Sequence, residues 1–220
     1  MLTDYLAHNI DELVNKIAEY GFCVIDNFIN EADILALTHE ITKLKDAEKM
    51  QVASTGRIHK AVNHQLRGDI IYWLDETNAS NAQQAYFNRM EDLRLHLNQA
   101  LYLGLFALES HLALYAAGAS YKKHIDRFKN IDQVTKQPLR QISCILYLNQ
   151  NWLAEHGGEL RLYLNHDDNL KSTAFIDVLP VAGRLIVFLS DTFYHEVFTS
   201  YSRQNEPHRL VFNTLINYLW

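Results

Sequence analysis

LALYAAGASYKKHIDRF (112–128) carries two short apolar and aromatic runs split by a small-residue, Gly-bearing turn. That is the pattern of strand, turn, strand. The second run ends in a His-x-Asp pair, His124 and Asp126. Residues two apart on an extended strand project from the same face. A second histidine, His195 in FYHEV, lies far downstream and must be brought in by the fold, with Arg209 following it. Two imidazoles and one carboxylate on one face of a metal leave the opposite positions open. This suits non-haem Fe(II) and oxygen chemistry.

Working outward, similar runs recur to the end of the chain: QISCILYL, ELRLYL, RLIVFL, HEVFTSY and RLVFNTLINYL. Polar or Gly-bearing turns separate them, including KNIDQVTKQP, EHGGE, NHDDN and PVAG. Strands at this spacing predict a sandwich or barrel rather than a parallel α/β sheet. The first half is predicted mainly helical. Residues 3–19 place Leu6, Ile10, Leu13, Val14 and Ile17 at helical spacing, and Gly21 stands where it would end that helix. FCVIDNF (22–28) is a predicted strand, 31–47 a second helix with Glu31 and Asp33 at its start, DIIYWL (69–74) a strand and 79–102 a long helix. Residues 48–66 are polar and turn-rich. The expected fold is mainly β with N-terminal helices, a jelly roll (double-stranded β-helix) core packed against helices. The expected organisation is one domain over 1–220, with 1–107 as helical support and substrate lid and 108–220 as the jelly-roll core.

Composition narrows the function classes. The chain has 220 residues, 48% of them hydrophobic, enough for a sizeable core. A net charge of −6 without a basic run disfavours a nucleic-acid binder. No apolar stretch has the length of a membrane span and no secretory leader opens the chain, so a cytoplasmic location without a membrane partner is expected. Cys23 and Cys144 each sit in an apolar run and are expected to be buried thiols, not a disulfide.

These motifs, taken in order, resemble the 2-oxoglutarate/Fe(II)-dependent dioxygenases, specifically the prolyl 4-hydroxylase branch and the bacterial relatives of the hypoxia-sensing prolyl hydroxylases. The resemblance spans about residues 20–220 and is carried by LRGDIIYWLDE (66–76), LYAAGASYKKHIDRF (114–128), RQISCILYLNQNW (140–152), GGELRLYL (157–164) and GRLIVFLSDTFYHEV (183–197). It implies that His124, Asp126 and His195 are catalytic iron ligands, and that Arg209, Tyr147 and Tyr115 bind 2-oxoglutarate. It also implies that Arg67, Asp69 and Arg140 face the substrate. Arg209 begins the last apolar strand, whereas its rival Arg203 sits in a polar loop. A planar guanidinium fork is a fitting partner for the far carboxylate of a dianion. Tyr147 shares strand parity with Ser143 and Ile145, while Cys144, Leu146 and Leu148 take the other face. His111, Asn213 and Leu215 depart from the family's usual residues.

The resemblance further implies Fe(II), 2-oxoglutarate and O2 as cofactor and cosubstrates, with ascorbate supporting activity. The implied reaction is hydroxylation of a C–H bond, of a prolyl residue in a protein, with release of succinate and CO2. A translation factor such as elongation factor Tu is the expected kind of partner. Two alternatives remain open at this point: hydroxylation of a free amino acid or small metabolite, and a non-catalytic 2-oxoglutarate or metal sensor. Locally, Arg67-Gly68-Asp69 reads equally as a turn with its own salt bridge, Arg140 equally as a surface ion pair, and Gly157-Gly158 as a tight turn.

Overall fold

The computed structural model describes residues 6–53, 67–126, 140–164, 174–201 and 212–219. Three helices form where capping chemistry and apolar spacing agree. Helix α1 (Ile10–Tyr20) starts at Asn9, whose side chain accepts from the Glu12 amide, and ends at Gly21 with φ +78°. Helix α2 (Glu31–Asp46) is capped by Asn30 and α3 (Asn81–Leu101) by Ser80. Their buried faces carry Leu13 and Ile17, Leu37 and Ile41, and Tyr86, Met90, Leu93 and Leu97.

Twelve strands appear among the described residues. They are β1 (Leu6–Ala7), β2 (Phe22–Ile25), β3 (Gln51–Val52), β4 (Asp69–Trp73), β5 (Leu108–Tyr115), β6 (Tyr121–His124), β7 (Ile142–Tyr147), β8 (Leu160–Tyr163), β9 (Phe175–Val178), β10 (Leu185–Leu189), β11 (His195–Val197) and β12 (Phe212–Leu219). An eight-stranded sheet runs β1-β2-β10-β7-β12-β5-β4-β3, and a four-stranded sheet runs β6-β11-β8-β9. The helices cover the outer face of the larger sheet, and the smaller sheet covers its inner face. This is the expected jelly roll.

The two cores follow the period of the strand. Cys144 and Leu146 of β7, Leu112 and Leu114 of β5, and Leu185 and Val187 of β10 pack with the helices. The alternate residues Ile145 and Tyr147, Ala113 and Tyr115, and Ile186 and Phe188 pack between the sheets with Leu160, Leu162, Ile176 and Val178. Parity thus places Tyr147 and Tyr115 inside the barrel. Cys23 and Cys144 are buried on the helix side, and neither forms a disulfide.

Several boundaries differ from the sequence reading. The first helix begins at Ile10, because Leu6–Ala7 pairs parallel to β2 instead. The strand expected over 22–28 stops at Ile25, before Asn27 with φ +56°. Strand β9 went unpredicted: four residues with an exposed aspartate between Ile176 and Val178 give too short a pattern. The N-terminal half contributes β1 to β4 to the larger sheet as well as its three helices. Of the polar stretch expected to be a lid, Gln51–Val52 forms an edge strand, and residues 54–66 lie outside the described residues.

Gly157, bridged to Ser200 at the entry to β8, has φ +68°, and a Cβ there would lie 2.6 Å from the Thr199 carbonyl oxygen. Gly157→Ala is therefore expected to cost about 2 kcal/mol, lowering Tm by roughly 4–8 °C in a chain of this size. Thermal denaturation followed by circular dichroism checks this; a Tm equal to that of the unsubstituted protein would show that the turn yields freely.

Candidate active site

Strands β6 and β11 pair antiparallel, with His195 directly opposite His124. Both belong to the smaller sheet, which pairs His195 on its other side with Leu162 of β8. The two rings face each other at 4.1 Å between centroids. Asp126 lies two residues beyond the end of β6, in a bend, and not on the strand itself as its spacing from His124 suggested. Its carboxylate nevertheless turns into the same space. Oδ1 lies 3.8 Å from His124 Nε2, and Oδ2 lies 3.7 Å from His195 Nε2. One ligand atom from each of the three lies within 4.8 Å of the others, the geometry of a candidate metal centre.

The surroundings prepare these groups to bind a cation. His124 Nδ1 lies 2.7 Å from the Lys122 carbonyl oxygen. A ring that donates there carries its lone pair on Nε2, which faces the other two residues. Burial, then the neighbouring His195, pushes the His124 pKa down to about 3, so the ring is neutral at physiological pH. His195 is buried, its Nδ1 3.3 Å from the Phe193 carbonyl oxygen and its ring edge-on to Phe188 at 4.8 Å. Burial alone would raise the Asp126 carboxyl. His195, His124, the Ser143 hydroxyl and Arg140 outweigh it and hold the carboxyl below its ordinary value. Two imidazoles and one carboxylate are the donor set of a facial triad, and they fit Fe(II).

The other residues singled out in the sequence divide into three groups. Tyr147 and Tyr115 both lie buried between the sheets. The Tyr147 hydroxyl is buried and makes no hydrogen bond among the described residues. A buried phenol is normally paired, so this one is a donor in want of an acceptor, and an anionic cosubstrate would supply it. On the same face of β7 Ser143 touches Asp126 while Tyr147 lies four residues along, so the metal site and the phenol occupy one inner row. Residues of the second group are engaged in ion pairs. Arg67 grips Asp69 through two bonds, Nε to Oδ1 at 2.6 Å and a terminal nitrogen to Oδ2 at 2.8 Å. Arg140 reaches Glu109 at 3.4 Å. The Arg67–Asp69 pair also reaches the metal site: its guanidinium lies 4.8 Å over the Tyr121 ring, and that ring stacks on His124 at 3.6 Å. Third, Arg209 and Arg203, the expected carboxylate anchor and its rival, lie outside the described residues. His111 is buried beside Trp73, ring centroids 4.7 Å apart, and burial pushes its pKa down to about 3.

Sequence reasoning missed three contributors. Tyr121 stands three residues before His124 on the same short strand, a spacing visible in the motif. Ser143 and Ser190 make a hydrogen-bonded pair behind Asp126. The parity of Ser143 with Tyr147 was the one available signal for the first. Nothing in the chain pointed to the second.

Comparison with known proteins places the chain in a family. Residues 110–217 match the 2OG-Fe(II) oxygenase superfamily. Over 202 residues the chain is 30% identical to human prolyl hydroxylase EGLN3, covering 88% of this chain and 79% of that protein. Among solved structures it is similar to a Pseudomonas putida prolyl-4-hydroxylase, at 31% identity and TM-score 0.79, with 96% of this chain and 98% of that chain covered. A Trichoplax adhaerens prolyl hydroxylase, solved with a hypoxia-inducible factor peptide fragment, shares the fold at TM-score 0.75 and 22% identity, covering 94% and 87% of the two chains. The chain belongs to the 2OG-Fe(II) oxygenase superfamily, within its prolyl-hydroxylase branch.

Proposed function

We propose that this 2-oxoglutarate-dependent dioxygenase hydroxylates a prolyl residue within a protein. The observation that carries the reading is the convergence of His124, Asp126 and His195 at one end of an inner row that also presents the buried Tyr147 hydroxyl. The nature of the relatives supports the choice of a prolyl substrate. EGLN3 and the Pseudomonas putida enzyme are both named prolyl hydroxylases, and the Trichoplax adhaerens enzyme was solved with a peptide.

Bound Fe(II), with 2-oxoglutarate and O2, supplies the oxidising power for C–H hydroxylation and releases succinate and CO2. The chain's own residues do the rest. His124 and His195 would each offer an Nε2 lone pair, and Asp126 a carboxylate. With Asp126 offering a carboxylate, a bound iron would have no place there for a halide, which would favour hydroxylation over halogenation. Tyr147 donates a hydrogen bond to the far carboxylate of 2-oxoglutarate without adding a second charge to desolvate. In this reading Arg209 pairs with that same carboxylate and Tyr115 lines the cosubstrate space. Arg67 and Asp69 stiffen the rim through Tyr121, beside which the substrate loop would lie. Arg140 screens Asp126 at the mouth. Ascorbate would sustain turnover by keeping the iron reduced.

Incubating the enzyme with Fe(II), 2-oxoglutarate and a proline-bearing folded protein such as elongation factor Tu tests the substrate class. The expected result is one added oxygen on a proline, with stoichiometric succinate. Oxygen transfer to free proline or a metabolite, with none to proteins, would instead make this a small-molecule hydroxylase. Two substitutions test the site. His124→Ala should abolish succinate formation while leaving the circular dichroism spectrum intact; full turnover in that variant would contradict the ligand assignment. Tyr147→Phe removes one hydrogen bond to a charged group. It should raise KM for 2-oxoglutarate roughly tenfold with kcat nearly preserved. An unchanged KM would remove Tyr147 from the cosubstrate site.

A further inference from the structure

The two histidines and the aspartate of the triad are held in different ways. His124 and His195 stand opposite one another in the β6–β11 ladder, so backbone hydrogen bonds fix where their rings start. Asp126 stands outside any strand. Its carboxylate depends on side chains for its orientation, and the structure supplies a two-membered chain of them. Ser143 Oγ donates to Asp126 Oδ2 at 2.7 Å, and Ser190 Oγ lies 2.7 Å from Ser143 Oγ. Both serines are fully buried. Both are fixed by the larger sheet: Ser143 pairs with Phe188 across β7 and β10, and the Ser190 amide donates to the Gln141 carbonyl at 3.0 Å.

The direction of the protons in this chain is determined. An ionised carboxylate only accepts, so the Ser143 proton points at Asp126. Towards Ser190, then, Ser143 has only lone pairs to offer, so the Ser190 hydroxyl donates to it. Each donor in the row is committed, and the row ends on the one triad member that lacks a ladder of its own.

We infer that Ser143 is a positioning residue that fixes the Asp126 carboxylate for the metal, and that Ser190 acts through Ser143 by fixing the direction of its hydroxyl. This rests on the reading of His124, Asp126 and His195 as the metal centre. Hydrogen-bond partners behind metal ligands commonly govern both ligand orientation and affinity. The larger sheet thereby reaches across the barrel to set a ligand that belongs, by chain position, to the smaller one.

Anaerobic titration with Co(II), which reports affinity and ligand geometry through its visible absorption, tests this without turnover. The unsubstituted protein should bind Co(II). Ser143→Ala should bind roughly 10- to 100-fold more weakly and show an altered visible spectrum. Ser143→Thr, which keeps the hydroxyl, should recover most of both. Ser190→Ala should lose several-fold, and the double Ala variant should lose no more than Ser143→Ala alone, because Ser190 meets Asp126 through the Ser143 hydroxyl. Affinity and spectrum unchanged in Ser143→Ala, or additive losses in the double variant, would overturn the inference. Should Ser143→Ala fail to fold, Ser190→Ala decides, and unchanged binding there overturns it equally. If the unsubstituted protein binds no Co(II), the metal centre itself falls, a failure distinct from that of the serine chain.

Discussion

The pairing of β6 with β11 is the constraint on which the site depends. It sets His195 opposite His124 across an antiparallel ladder, so two candidate ligands separated by a long stretch of chain become neighbours through backbone hydrogen bonds alone. Everything around that pair limits how it can move. On one flank β8 pairs with β11, placing Leu162 beside His195. At the other, Arg67 bridges to Tyr121, and the Gly68 amide donates to the Ser120 carbonyl at 3.1 Å. A Cβ on Gly68 would stand 3.1 Å from that of Ala119, so the two segments approach closely just before the ligand strand. The end of the larger sheet is thereby tied to the strand that carries His124.

Electrostatics and packing act together along this seam. Asp69 is fully buried, and its charge is balanced by the bidentate guanidinium of Arg67. A buried pair of this kind gives little net stability over an apolar alternative, but removal of one partner strands the other charge. The guanidinium also lies over the Tyr121 ring, and that ring stacks on the His124 imidazole. The buried ion pair is thereby linked through Tyr121 to the candidate metal site. Asp126 carries a further charge, met by the Ser143 donor and by Arg140. A divalent cation would complete that balance.

Much of this was legible in the chain. The runs from LALYAA onward announced short strands, and most of them form where the alternation placed them. The helix ends were legible too, since Gly21 and the acidic first turn of α2 act through local chemistry. The His-x-Asp pair and the later His195 marked the candidate metal centre, yet strand spacing explains only part of it: the strand ends at His124, and the carboxylate arrives from a bend. Parity grouped Tyr147 with Ser143 and Ile145, but only the second sheet shows that this face is the inner one. What the sequence hid was register between distant strands. That Ser190 meets Ser143 follows from how β10 lies on β7, and that Arg67 covers Tyr121 follows from a bridge between two sheets. Neither pairing leaves a local signal in composition or spacing.

The most direct test of the whole account is an anaerobic titration of the metal-free protein with Fe(II) and 2-oxoglutarate, followed by visible absorption. A weak charge-transfer band that forms only when both are present, and that saturates at one equivalent of each, is the predicted result. It would place metal and cosubstrate together in the space bounded by His124, Asp126, His195 and Tyr147. A well-folded protein that develops no such band would contradict the account at its centre.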